Sequence, residues 1–213
     1  MIEPIVKPRR KNPLLRTRLP TSPPRARSRA SHGFTRAAAE GRFMLQRCGA
    51  CGTFCYPARD ACPTCLSADL VFADAPRRGT LLSETTLHIP ADVHFRERAP
   101  WRVGLVAMEC GPKLVTHLHA DCEEGKPVVM SFQLDKSGQA VAFAHPERET
   151  PNMADDRQWR EMTADPKFRR VLVTNGRSIV GQEAVTALKA AGASIVFVGV
   201  AEPWKPFRGE DAL

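Results

Sequence analysis

Two CxxC pairs, Cys48 with Cys51 and Cys62 with Cys65, stand ten residues apart and constrain this chain more than anything else in it. Thiols three positions apart face one point only from a tight turn. Two such turns set against each other offer four sulfurs at the corners of a tetrahedron, which is what a closed structural zinc site needs. Gly52 follows the first pair, where the turn asks for a positive φ that glycine adopts without strain. Pro63 fixes φ inside the second. The loop between the pairs holds Cys55, a cysteine outside the pattern. The spacing predicts a rubredoxin-like zinc ribbon over residues 43–68, with iron as the alternative metal and a redox CxxC or unpaired core thiols as the non-metal readings. Four protein ligands leave no open coordination position, so such a metal holds the fold together and performs no chemistry.

The net charge of +8 resembles a nucleic-acid footprint until it is located. Residues 1–30 carry nine Lys and Arg against the single Glu3, which accounts for the whole +8 and leaves the remainder neutral. Six prolines and little apolar periodicity in the same stretch predict a disordered basic tail, either an arm for acidic partners or a solvated extension. No run of residues reaches membrane-spanning length, which argues against a membrane role, and seven cysteines without an export signal point to the reducing cytoplasm.

The architecture predicted is mainly β. Residues 31–75 hold a short helix, capped by Ser31 and stopped by Gly41, and the ribbon. Residues 76–145 hold five strand-like runs, at 79–89, 101–110, 112–120, 127–134 and 139–145, separated by Gly-Pro, Glu-Gly-Lys-Pro and Lys-Ser-Gly turns. Five short strands without a helix of any length suit a small antiparallel barrel of the OB type, with an SH3-like barrel as competitor. Residues 146–168 are charged and bounded by prolines, a linker with one helical turn around Trp159. Over 169–213 the pattern changes: RRVLVTN and SIVFVGV are buried-type strands around the amphipathic helix VGQEAVTALKAAGA, a βαβ unit that opens a Rossmann-like parallel sheet.

From Phe43 to His145 the segments FMLQRCGACG, YPARDACPTC, GTLLSETT, VGLVAMECG and FAHP resemble the zinc-ribbon plus OB-fold proteins long catalogued as a domain of unknown function. That resemblance implies a place in acyl-CoA metabolism, lipid or steroid. Members partner thiolases, polyketide or hydroxymethylglutaryl-CoA synthases, and steroid side-chain hydratases and aldolases. It implies a CoA thioester as ligand and a thiolase-like or hydratase-like enzyme as partner, in a homo- or hetero-oligomer.

The C-terminal unit resembles the first βαβ of short-chain dehydrogenases, whose TGxxxGxG turn brings nucleotide phosphates to backbone N–H groups and a helix N-terminus. Here the turn reads Thr174-Asn175-Gly176-Arg177-Ser178-Ile179-Val180-Gly181. Asn175 and Ile179 replace two motif glycines, leaving Gly176 and Gly181 as a degenerate nucleotide motif that argues against NAD(P). The single tyrosine is Tyr56, in the ribbon, so the YxxxK pair of such enzymes is missing. The segment is therefore expected to be a fragment that packs on the barrel, on a partner, or within a longer fusion.

Cys48, Cys51, Cys62 and Cys65 are the expected metal ligands. Arg77, Arg96 and Arg98 are the candidates for CoA phosphates, because forked guanidinium donors suit phosphate and the loop HFRERAPW sets Phe95 and Trp101 beside the charges. Those two aromatics are expected to anchor a partner or line a pantetheine channel, with Trp101 as a core residue at a strand start as the alternative. His117, His119 and Cys122 suggest a second metal site or a Cys/His nucleophile, against the plainer reading of alternation on a solvated face. No activated nucleophile with a base is recognisable, so no catalytic residue is assigned. The reading is a non-catalytic acyl-CoA-binding accessory subunit. The alternatives are a single-stranded nucleic-acid-binding ribbon and OB protein, which the neutral folded part disfavours, and a truncated dehydrogenase fusion acting on acyl-CoA.

Overall fold

The computed structural model describes residues 22–151 and 155–202. The reading of residues 1–21 as a disordered tail, and that of residues 203–213 as the end of the βαβ unit, lie outside the described residues.

A 3-10 turn, Arg29–Ser31, runs directly into helix α1, His32–Ala39. Ser31 therefore already has helical dihedrals and makes no side-chain cap; its hydroxyl donates to the Ser28 carbonyl at 2.7 Å, which corrects the expected capping role. Gly41, at φ +68, ends the turn after the helix. Strand β1, Met44–Cys48, sits between β2, Phe54–Cys55, and β3, Leu70–Asp74, in a three-stranded antiparallel sheet that carries the four cysteines.

Five strands then close a barrel: β4 (Arg78–Leu87), β5 (Trp101–Met108), β6 (Lys113–Leu118), β7 (Pro127–Leu134) and β8 (Ala140–Pro146). Their order, β4-β5-β6-β8-β7 with β7 returning to β4, is that of a five-stranded OB-type barrel, and β6 with β8 is its parallel pair. Alternation sets the inward face. Leu114, Thr116 and Leu118 of β6 point in with Val128, Met130 and Phe132 of β7, as the period of two requires.

Ribbon and barrel share one core. The Phe132 ring lies 4.8 Å from Phe43 and 4.9 Å from Phe34, and Leu45 is wholly buried in the same cluster. Each such side chain contributes about 1.5–3 kcal/mol when fully buried, so α1 and the ribbon are welded to the barrel.

The loop expected at HFRERAPW contains a short helix, α2 (Val93–Arg96), capped by Asp92. The stretch 146–168, expected as a linker, contains α3 (Arg157–Met162), which is fastened to the outside of the barrel. Asp156 caps α3 through the Trp159 N–H and accepts the Ala120 N–H at 2.9 Å, while Lys136 N–H donates to the Met162 carbonyl and Ala164 N–H to that of Leu134. Met162 completes a second cluster with Trp101, Val141 and Phe143. Residues 22–30, grouped by sequence with the tail, are likewise held: Pro23 is buried, its carbonyl accepts from the Ser137 hydroxyl at 2.8 Å, and Arg27 lies 3.7 Å from the fully buried Asp135. Polar turns on the barrel, absent from any reading of the arm by itself, supply these anchors.

Beyond α3, β9 (Arg170–Val173) and β10 (Ile195–Val198) pair in parallel around α4 (Ile179–Ala190). Among the described residues no helix is long and apolar enough to cross a membrane.

Candidate functional site

The two knuckles are built alike. After Cys51, Gly52 N–H returns to the Cys48 carbonyl at 2.8 Å; after Cys65, Leu66 N–H returns to the Cys62 carbonyl at 3.0 Å. Both turning residues have positive φ, +74 at Gly52 and +61 at Leu66. These turns aim the four sulfurs at one point. Cys48 and Cys65 Sγ are 3.6 Å apart, Cys51 and Cys62 Sγ also 3.6 Å, and all four lie within 4.8 Å of one another. A tetrahedron with metal–sulfur bonds of about 2.3 Å has edges of about 3.8 Å, so the four cysteines are positioned to hold one metal ion. At Cys62 the knuckle favours ionised sulfur, since the backbone N–H groups of Cys65 and Thr64, the latter 3.4 Å from the sulfur, pull its thiol down to about 6. At Cys65 the backbone bond from Ser67 is outweighed by hydrogen bonds with the Cys51 and Cys48 sulfurs, which push the thiol up to about 12. Cys55 is buried beside the group but is not among the four, and its thiol is raised, first by burial.

The arginines chosen for phosphate are not brought together. Arg77 precedes β4 at its ribbon end and donates to the Gly41 carbonyl at 3.2 Å. Arg96 and Arg98 sit beyond the other end of the same strand, where each braces its own loop. Arg96 donates to the Pro90 and Ala91 carbonyls, and Arg98 to the His94 carbonyl at 3.0 Å and to Glu161 at 3.1 Å. Trp101 is wholly buried there and the partly buried Phe95 packs against it, with rings 5.2 Å apart, so the core reading describes Trp101.

His117, His119 and Cys122 do not converge on a site. His117 Nδ1 accepts the Trp101 indole N–H at 2.9 Å, and burial drives its pKa down to about 4. His119 Nδ1 accepts the Asp121 N–H at 3.2 Å. The Cys122 thiol donates to the Ala144 carbonyl at 3.3 Å, and burial pushes it up to about 12, the opposite of an activated nucleophile.

Gly176 and Gly181 are required by packing. A Cβ at Gly181 would lie 2.0 Å from the Asn175 carbonyl oxygen, and one at Gly176 would lie 2.2 Å from a Val198 methyl. Ser178 caps α4 by accepting the Gly181 N–H at 2.9 Å. The turn thus brings helix and strand close together, while Ile179 and Val180 stand exposed at the start of α4.

Sequence reasoning missed two buried glutamines that act as backbone. Gln46 accepts the Arg59 N–H at 2.7 Å and donates to its carbonyl at 3.0 Å, which pins the loop between the knuckles. Gln158 does the same at Arg102. No spacing announces such residues; a glutamine at an otherwise inward position is the one available signal.

Residues 35–71 match the family described as "ChsH2, rubredoxin-like zinc ribbon domain", and residues 73–133 match "ChsH2, C-terminal OB-fold domain". A solved chain titled "Ltp2-ChsH2(DUF35) aldolase" is 30% identical, with a TM-score of 0.50, and the match covers 58% of this chain and 98% of that one. A probable enoyl-CoA hydratase alpha subunit of Thermomonospora curvata is 35% identical over 100 residues, 45% of this chain. The chain spans 31% of the length of that relative.

Proposed function

The chain belongs to the ChsH2 family of zinc-ribbon and OB-fold (DUF35) proteins, and from that membership we propose that it is a non-catalytic, acyl-CoA-binding accessory subunit of an acyl-CoA hydratase-like or aldolase-like enzyme, or of a thiolase-like one. The observation that carries the reading is the 30% identity to, and 98% coverage of, the solved chain named "Ltp2-ChsH2(DUF35) aldolase". The resemblance to part of a hydratase subunit supports it from a second direction, since there the same module is one portion of a longer chain.

In this reading zinc in the four-cysteine site keeps the ribbon folded, and the ribbon presents a rigid surface to the partner. The reacting groups belong to the partner, and the chain works in the cytoplasm. CoA contacts from Arg77 remain part of the proposal; Arg96 is engaged by its own loop, and Arg98 by that loop and by Glu161 of α3. We group residues 31–75 and 76–145 as one welded ribbon and barrel unit and 169–213 as a separate element. That element is proposed to derive from the first βαβ of a dehydrogenase-like fold, with Gly176 and Gly181 kept for packing.

The test is reconstitution. The chain is co-expressed with candidate acyl-CoA hydratases and thiolase-type aldolases of its own genome, and complex formation, CoA-thioester binding and turnover are measured. Failure to recover any acyl-CoA enzyme, together with no CoA binding by the mixture, would remove the proposal.

A further inference from the structure

The arm that precedes α1 reaches into a groove between the ribbon loop and the barrel. Two cavities of about 200 and 270 Å³ share Arg27, Tyr56, Ala140 and Ala142 as walls. Phe34 closes the first, and Val115, 64% exposed on β6, opens the second toward solvent. Apart from His117 in the second, the walls are otherwise apolar or hydroxyl-bearing, and neither lining contains a carboxylate. Arg27 is the one charged group common to both. Its Nη1 donates to the Pro24 and Ala26 carbonyls at 2.9 Å, and its Nη2 faces Asp135 at 3.7 Å, beyond hydrogen-bond distance. The guanidinium thus keeps donor capacity while its side chain is 25% exposed. Its charge reaches both walls: it opposes the burial that raises the Tyr56 phenol, and adds to the burial that lowers His117.

A guanidinium that is ion-paired on its buried side with Asp135 yet keeps spare donors toward a largely apolar trough is complementary to one kind of small molecule, an apolar chain that ends in an anion. We propose that this groove is a binding site for such an anionic amphiphile, with Arg27 gripping the head group and Tyr56, Ala140 and Ala142 flanking the chain. The site lies wholly within this polypeptide and stands independently of any partner enzyme. Head groups of two chemistries fit, a carboxylate or a phosphate, and the probes separate them.

Tyr56 is the single tyrosine of the chain, so 3-fluorotyrosine incorporation into the full-length protein places one fluorine reporter in the groove. Titration with octanoate and with octyl phosphate is expected to shift that resonance saturably, and the tighter of the two identifies the head group. The neutral 1-octanol is expected to bind at least tenfold more weakly than the better anion, the loss of about 1.4 kcal/mol or more that a charge-assisted contact supplies. Arg27→Gln should weaken the anion at least tenfold, and Ala140→Leu, which fills the trough and leaves the Arg27–Asp135 contact alone, should abolish it. Should Arg27→Gln fail to fold with Asp135 left unopposed, the pair Arg27→Gln/Asp135→Asn takes its place. The proposal is overturned by the absence of a saturable shift at millimolar probe, by equal binding of octanol and the anions, or by unaltered binding in folded Arg27 and Ala140 variants.

Discussion

Gln158 and Arg102 are joined as strand neighbours are: the Gln158 side-chain oxygen accepts the Arg102 N–H at 2.6 Å, and its amide nitrogen donates to the Arg102 carbonyl at 2.9 Å. The same nitrogen reaches the Leu118 carbonyl at 3.2 Å. One side chain from α3 therefore satisfies backbone groups of β5 and β6, and docks the segment that sequence alone treats as a linker. Replacing it by Leu strands three polar groups in a buried place, each worth about 1–3 kcal/mol. Gln158→Leu is expected to lower unfolding free energy by at least about 2 kcal/mol in urea titrations. Gln158→Glu should cost nearly as much, because a carboxylate cannot donate to either carbonyl.

The four-cysteine site predicts a sharp division among the cysteines of the ribbon. Elemental analysis of purified protein should give one metal per chain, retained in Cys55→Ser and lost in Cys48→Ser or Cys62→Ser. The latter variants should also lose the thermal stability of the ribbon, since folding and metal binding are one equilibrium in such a site. Metal retained after removal of Cys62, or lost with Cys55, would assign the ligands differently.

Leu66 occupies in the second knuckle the place that Gly52 fills in the first, at φ +61 and 80% exposed. A left-handed conformation costs a side-chain-bearing residue about 1–2 kcal/mol, and the entropy of the unfolded chain takes back about 0.5–1 kcal/mol of the relief that glycine gives. Leu66→Gly is therefore expected to be stabilising by up to about 1 kcal/mol. Leu66→Val, β-branched in the same conformation, should destabilise by more than about 1 kcal/mol. Thermal denaturation of the metal-loaded variants reads both.

Burial lowers His117 to about 4, with His94 and Arg27 adding to it, and lowers His145 to about 4, with His119 adding to it. Both are thus kept neutral in the folded state while the unfolded chain protonates them near their ordinary value of 6.5. Below that value the unfolded state binds more protons, so stability is complete above about pH 6.5 and falls as the pH drops toward 4. Every tenfold difference in proton affinity between the two states is worth about 1.4 kcal/mol, which makes the loss about 3 kcal/mol for each histidine and roughly 7 kcal/mol across the pair. His117→Gln should flatten the slope of stability against pH over this window relative to the parent protein. An identical slope in the variant would remove His117 from the account.

Much of this was legible in the residues because local chemistry dictates it. CxxC spacing admits few geometries, and Leu114, Thr116 and Leu118 alternate inward because a pleat has a period of two. The five strands fall close to their predicted runs, since Gly111, Gly125 and Gly138 each take the positive φ that ends one strand and starts the next. What stayed hidden depends on contacts distant in sequence. Arg27 looks like one more charge in a basic tail until Asp135, far along the chain, is found buried beneath it. Arg96 and Arg98 have the composition of a phosphate site, yet the carbonyls of Pro90, Ala91 and His94 face the guanidiniums. Leu66 gives no sign of a left-handed turn, because only its kinship with Gly52 across the metal site imposes one.

We propose that this polypeptide works through an acyl-CoA enzyme rather than by chemistry of its own. The most direct measurement is turnover of an enoyl-CoA or a β-hydroxyacyl-CoA by the chain alone, by a co-purifying hydratase or thiolase-type aldolase alone, and by the two together, with their association followed by light scattering. A stable complex whose activity needs both chains is the predicted result. Hydration or carbon–carbon cleavage catalysed by this chain alone, or an enzyme indifferent to its presence, would contradict it.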